Sequence, residues 1–150
     1  MSNTAVGRLA LASALAGLTV LSVTSAAAAG TTLKVKKFGS NDRAHAEGTV
    51  NVTSNGWKFT TQFTIWPHKG ETVYLQIQPQ IRDAGKHHYI WRDWGPHTKK
   101  KTVQAREGDY RELYKDVVGI KPDGYKFRVC KHKKWDTDSC GGDSKPVYFK

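Results

Sequence analysis

Two short runs of basic residues, each close to a tryptophan, are the groups in this sequence best suited to bind a ligand. The first, Lys99–Lys101, follows Trp94, and the second, 131–134, precedes Trp135. Lysine binds an anion as a compact positive charge, and an exposed aromatic ring can stack on a sugar or a nucleobase. The residues predicted to bind an anionic ligand are Lys99, Lys100, Lys101, Arg128, Lys131, Lys133, Lys134, Trp94 and Trp135.

Two further aromatic residues, Trp66 and Tyr74, are predicted to be exposed because they do not fall on the inward-facing positions of their strands. Exposed rings of this kind favour stacking on a polymeric ligand. The alternative is that each ring lies on an ordinary surface, and that each basic run is a solvated loop with no ligand.

The whole chain carries a formal net charge of +11. A charge of that size on a small domain creates a positive field that attracts anionic partners. Wall polymers, acidic polysaccharides, nucleic acids bound without sequence specificity, and anionic lipid headgroups all fit this field. The alternative is that the charge serves only to keep an extracellular protein in solution.

The two cysteines, Cys130 and Cys140, are predicted to form one disulfide. Nine residues separate them, whereas paired zinc thiolates are two to four residues apart, so metal ligation is the weaker alternative. A disulfide that closes a loop of this size contributes about 3 kcal/mol to stability on the chain-entropy model. A rigid loop of this kind is also what a protease inhibitor presents, and this is one alternative function.

The six histidines are scattered without the spacing of metal ligands, and the sequence therefore predicts no metal and no cofactor. A secreted nuclease-like toxin or other hydrolase is the second alternative. His87 or His88 together with Glu71, Glu107 or Glu112 could supply its general base and general acid. Neither G-x-S-x-G nor H-E-x-x-H occurs, so no catalytic residue is assigned and a binding protein is favoured over an enzyme.

Residues 1–29 have the three parts of an export signal. Arg8 is followed by an uncharged run over 9–23, and the segment ends with Ala27 and Ala29 in an A-x-A pattern. Cleavage is expected before Gly30, which leaves a secreted, extracellular protein with no transmembrane segment. The alternative is an uncleaved membrane anchor over this segment.

The remaining residues, 30–150, predict a single all-β domain, an antiparallel sandwich or barrel of about eight short strands. Asn55-Gly56 between two strand-like runs indicates a hairpin, and residues 57–66 alternate apolar with polar residues. Residues 110–118 could form a strand or a short helix, and the strand is favoured.

The end of the chain resembles that of small secreted actinobacterial β-rich proteins of unknown function that carry a C-terminal pair of cysteines. The residues that carry the resemblance are Tyr125–Cys130 and Asp138–Gly141. The rest of the likeness is one of layout, an alanine-rich signal followed by a β-rich body. It implies a secreted β-rich protein and supplies no activity or site residue.

Overall fold

The structure, a computed structural model of the chain, describes residues 30–39, 44–53, 56–81, 90–116 and 121–149. The predicted export signal over 1–29 lies outside the described residues. The described ranges form nine strands and one helical turn: β1 Thr31–Gly39, β2 His45–Thr53, β3 Lys58–Trp66, β4 Val73–Gln80, β5 Arg92–Asp93, β6 Thr102–Asp109, α1 Tyr110–Leu113, β7 Gly124–Lys131, β8 Ser139–Cys140 and β9 Val147–Tyr148.

The strands form two antiparallel sheets that pack face to face. The first sheet, sheet A, has the order β1-β2-β3-β6, and the second, sheet B, has the order β5-β4-β7-β8 with β9 also paired to β7. Aromatic rings meet across the interface: the ring centroids of Phe59 and Tyr125 are 4.6 Å apart, and those of Phe63 and Phe127 are 4.7 Å apart. The predicted all-β antiparallel fold is confirmed.

β2 and β3 pair as the antiparallel hairpin that was predicted, although Asn55 of its turn lies outside the described residues. Gly56 has φ +94°, a left-handed conformation that glycine adopts without steric cost. In β3 the inward side chains of Phe59, Phe63 and Ile65 are buried, and polar residues alternate with them. The period-two pattern therefore identifies the buried face of this strand correctly.

Trp94 was predicted to be an exposed stacking residue, and this prediction is wrong because its side chain is only 1% exposed. Its backbone N–H donates to the Leu75 carbonyl at 2.7 Å, which fixes this segment beside β4. Its indole packs against Phe59 and donates from Nε1 to Thr61 Oγ1 at 2.9 Å. Trp94 is therefore part of the core and is unavailable to a ligand.

The strand favoured over residues 110–118 is also wrong where the chain is described. Residues 110–113 form the helical turn α1, which begins where the Asp109 carboxylate accepts from the Arg111 N–H at 2.8 Å. Glu112 adds an acidic group to its first turn, where negative charge is favourable. Residues 117–120 lie outside the described residues. Along the described ranges, no helix has the length and apolar character needed to cross a membrane.

Gly108 in β6 is a position where the core requires the absence of a side chain. A Cβ built there would lie 2.4 Å from the Trp94 ring and 2.6 Å from the Phe59 ring. We expect Gly108→Ala to lower the free energy of unfolding by about 1–3 kcal/mol, because two packed rings must move. Chemical denaturation measures this value.

Gly142→Ala is the matched control for this substitution. A Cβ at Gly142 meets only the Gly39 carbonyl oxygen, at an ordinary contact distance of 3.7 Å. Its stability should stay close to that of the parent protein. Equal stability of the Gly108→Ala and Gly142→Ala variants would contradict the packing described for Trp94.

Candidate anion-binding face

The two basic runs emerge at the same end of sheet B. Val73, the first residue of β4, pairs with Lys131 of β7 on one side. On its other side it exchanges two backbone hydrogen bonds with Thr98, of 2.9 and 2.8 Å. The two basic runs, 99–101 and 131–134, therefore begin on opposite sides of Val73, although about 30 positions separate them in the chain. We call Lys99, Lys100, Lys101, Lys131, Lys133, Lys134 and Trp135 the basic face.

Two histidines, one just before the first basic run and one within the second, are in contact with each other. The His97 and His132 rings meet edge to face, with their centroids 4.7 Å apart. His97 also lies flat on the Tyr74 ring, at 4.6 Å and with an interplanar angle of 5°. The segment around 97 and the loop after β7 are thus in direct side-chain contact.

Tyr74 was predicted to be exposed, and this prediction is wrong because the residue is only 4% exposed. Its direction follows the predicted alternation: Val73 and Leu75 face the core, so Tyr74 faces the opposite side of sheet B. The His97 ring covers it there, and its hydroxyl donates to Asp138 Oδ2 at 2.6 Å. Burial, together with the Asp138 carboxylate, raises the pKa of the Tyr74 phenol.

Asp138 fixes the loop that carries the second basic run. Oδ2 accepts from the Tyr74 hydroxyl, and Oδ1 accepts from the Lys133 N–H at 2.9 Å. His132 Nδ1 lies 3.5 Å from Oδ1. The bond from Tyr74, followed by the bond from the Lys133 amide, lowers the pKa of the Asp138 carboxyl. A single carboxylate therefore anchors both the backbone of the loop and one histidine.

The predicted disulfide between Cys130 and Cys140 is confirmed. The two cysteines are paired neighbours in β7 and β8, and Lys131 pairs with Ser139 beside them. Residues 132–138 thus form a short loop that is closed at its base by a covalent bond and inside by Asp138. A loop held in this way loses little conformational entropy when a ligand binds.

Two lysines of the basic face are already paired with carboxylates. Lys131 Nζ lies 2.6 Å from Glu71 Oε1, and Lys133 Nζ lies 2.8 Å from Asp136 Oδ2. These partners reduce the net positive charge that Lys131 and Lys133 present to a ligand. Their role in binding stays a prediction.

The other four lysines of the face are exposed and have no carboxylate within ion-pairing distance among the described residues. Lys101 lies over the Trp66 ring at 5.4 Å, and Lys134 lies over the Trp135 ring at 5.1 Å. Lys99 and Lys100 are also exposed. These four lysines carry most of the uncompensated charge of the face.

The aromatic residues differ in how much ring they offer to a ligand. Trp135 is 89% exposed at the loop between β7 and β8, as predicted from its place beside a turn. Trp66 is half-buried and stacked on His45, with ring centroids 4.9 Å apart, so the prediction that it is exposed holds only in part. Trp135 is therefore the stacking residue of the face.

Arg128 lies on the outer side of sheet B, where it pairs with Gln76, two positions along β4 from Tyr74. Its Nε donates to Gln76 Oε1 at 2.9 Å, and its guanidinium lies over the Trp91 ring at 4.2 Å. Burial lowers the pKa of this half-buried guanidinium. Arg128 is thus held inside a side-chain network, and binding of an anion by it stays a prediction.

Three of the predicted acid–base residues do not share one site. Glu71 lines a groove of about 370 Å³ beside the disulfide, whereas Glu107 and Glu112 line a separate groove of about 390 Å³ near the start of β3. His87 and His88 lie outside the described residues. Within the described ranges, no three histidine, cysteine, aspartate or glutamate side chains form a group that could hold a metal ion.

Sequence reasoning missed His97, His132 and Asp138 as parts of the site. One signal was present for two of them: His132 lies two residues after Cys130, and Asp138 lies two residues before Cys140. A disulfide between neighbouring antiparallel strands brings such symmetric positions together. The contact of His97 with this pair depends on the fold alone.

Comparison with known proteins identifies no relative of the chain: no family model, curated protein or solved structure matches it. The chemistry of the basic face is therefore inferred from its own residues.

Asp138→Asn tests the carboxylate that fixes the loop. The pKa of Asp138 is lowered in the folded protein, so its charge stabilises the fold above the ordinary value of 3.8. This contribution is lost as the pH falls through the lowered pKa. We expect the variant to unfold at a lower temperature than the parent protein at pH 7, and the difference to shrink as the pH falls below 3.8.

Asp143→Asn is the control for this comparison, because Asp143 pairs with Lys126 on the same sheet but outside the loop. A solvent-accessible pair of that kind contributes about 1 kcal/mol or less. A melting difference for Asp138→Asn that stays constant from neutral to acidic pH would contradict the role given to the carboxylate.

Proposed function

We propose that this is a secreted binding protein whose basic face holds an anionic polymer. The observation that carries the proposal is the meeting of two lysine runs, distant in sequence, around the contact between His97 and His132. One uncompensated lysine, Lys134, lies over the exposed ring of Trp135.

The distribution of charge favours a polymer over a small anion. The lysines are spread over two segments, and lysine acts as a point charge without the planar fork with which arginine reads one anionic group. Repeated negative charges on a nucleic acid, an acidic polysaccharide or a wall polymer can engage both segments at once. The loop over 132–138 is already held in place before a ligand binds, and this lowers the entropic cost of ordering it in the complex.

The extracellular location is part of the same proposal. Residues 1–29 have the pattern of an export signal, and a disulfide is typical of proteins in oxidising compartments. The same segment could serve as an uncleaved anchor, and N-terminal sequencing of protein from the culture medium separates these outcomes. A first residue at or within two positions of Gly30 supports cleavage.

The triple variant Lys99→Ala/Lys100→Ala/Lys134→Ala tests the charge of the face. Each lysine that neutralises one phosphate-like group releases counterions, so its loss should reduce the slope of log affinity against log salt by about 0.7–0.9. The triple variant should therefore flatten the slope by about 2–3. Affinities for heparin and for a single-stranded oligonucleotide, measured from low to moderate salt, give this slope.

Lys58→Ala/Lys115→Ala/Lys145→Ala is the matched control, because it removes the same charge from three exposed lysines outside the basic face. Lys58 begins β3 at the end opposite Trp66, and Lys145 precedes β9. This control should keep a slope close to that of the parent protein. Equal loss of slope in both triple variants would show that net charge, and not the basic face, governs binding.

Trp135→Ala tests stacking separately from charge. Loss of one stacked ring should weaken binding of an oligonucleotide by about 1–3 kcal/mol, while the salt slope stays nearly unchanged because stacking releases few ions. The melting temperature should not change, since the ring is almost fully exposed. Unchanged affinity in this variant would remove Trp135 from the binding site.

A further inference from the structure

At the centre of the basic face, two imidazoles and a carboxylate lie in contact. His132 Nδ1 faces Asp138 Oδ1 at 3.5 Å, and its ring meets the His97 ring with centroids 4.7 Å apart. Because Asp138 lies beside Nδ1, Nε2 of His132 is the atom left to exchange a proton with a substrate. An imidazole that faces a carboxylate thus lies next to a second imidazole. Two neighbouring imidazoles are the groups that paired acid and base catalysis requires.

Both histidines are held by groups other than each other. His97 lies flat on the buried Tyr74 ring at 4.6 Å, and the Tyr74 hydroxyl in turn bonds Asp138 at 2.6 Å. Asp138 accepts from the Lys133 amide as well, which fixes it to the loop. The histidines nevertheless stay accessible: His97 is exposed, and the His132 side chain is 42% exposed. A packed support and an open outer surface are what a catalytic pair needs.

From this geometry we infer that His97 and His132 form an acid–base pair that cleaves RNA bound on the basic face. The inference rests on the proposed function, because the lysines of that face would hold the phosphates.

Both cysteines are committed to the disulfide, so the site has no thiol nucleophile. RNA supplies its own nucleophile, the 2′-hydroxyl next to each phosphate, and therefore suits a site that offers only proton transfer.

The reaction is a transesterification within the RNA chain. Neutral His97 takes the proton of the 2′-hydroxyl, and the 2′-oxygen forms a bond to the adjacent phosphorus as the bond from phosphorus to the 5′-oxygen breaks. Protonated His132, whose positive charge the Asp138 carboxylate balances, gives its proton to the leaving 5′-oxygen. The products are a 2′,3′-cyclic phosphate and a 5′-hydroxyl end. Proton exchange with water then restores both imidazoles.

The test compares two oligonucleotides of the same sequence, one of RNA and one of 2′-O-methyl RNA, which lacks the nucleophile. The mature protein is incubated with each in the presence of EDTA. We expect cleavage of the RNA only, with mass spectrometry showing 2′,3′-cyclic phosphate and 5′-hydroxyl ends. The 2′-O-methyl strand should bind and stay intact.

Two variants assign the activity to the pair. His97→Phe keeps an aromatic ring to stack on Tyr74 but cannot transfer a proton, and His132→Asn keeps a donor toward Asp138. Each should slow cleavage by about 100-fold or more, while the affinity for 2′-O-methyl RNA changes far less than the rate of cleavage. His68→Asn, which alters a histidine of the groove beside the disulfide and leaves the contact between His97 and His132 in place, should cleave at the parent rate.

The outcomes separate this inference from the proposed function. Binding of 2′-O-methyl RNA without cleavage of RNA would overturn the inference and leave the binding function standing. Cleavage that is equal in the parent and both variants would assign the activity to another centre or to a contaminant, and would also overturn it. If neither strand binds or is cleaved, both proposals fail for RNA, and heparin then tests the binding function alone.

Discussion

The hydrogen bond from the Tyr74 hydroxyl to Asp138, 2.6 Å long between residues 64 positions apart, is the contact on which the site depends. It joins the outer side of sheet B to the loop between β7 and β8. Through it, one carboxylate holds both the Lys133 amide and His132, while the Tyr74 ring supports His97. Charge-assisted hydrogen bonds of this kind are shorter and stronger than neutral ones. Without this bond, the disulfide would hold the base of the loop and leave its polar residues free to reorient.

The other half of the face is anchored by the core. Trp94 begins the segment that leads to Lys99, and its carbonyl accepts from the Arg106 guanidinium at 2.9 Å while its indole fills the space above Gly108. Thr98 then joins β4 by backbone hydrogen bonds. Trp94 thus supports the face from inside the sandwich, even though it cannot touch a ligand.

Local patterns predicted much of the fold, because the alternation in β3 and the turn before it depend on neighbours in sequence. The same reasoning failed for Trp94, whose indole bonds Thr61 across the core. It also failed for Tyr74, which is covered by His97 and bonds Asp138. In both cases the contacting residues are far away in the chain. It also failed at residues 110–113, although Asp109 followed by Glu112 three residues later is a helix-start signal. The residue types of the basic face were predicted, but the fold alone brings its two halves together.

Chemical-shift mapping tests most directly whether these two segments form one binding surface. Backbone amide spectra of isotopically labelled protein would be recorded during titration with a 2′-O-methyl oligonucleotide at low salt. A single binding surface predicts shifts that saturate together at residues 97–101 and 131–138, with small changes at Lys58, in β3, and at Lys145, which precedes β9. Shifts confined to one of the two segments, or spread evenly over all exposed lysines, would contradict it.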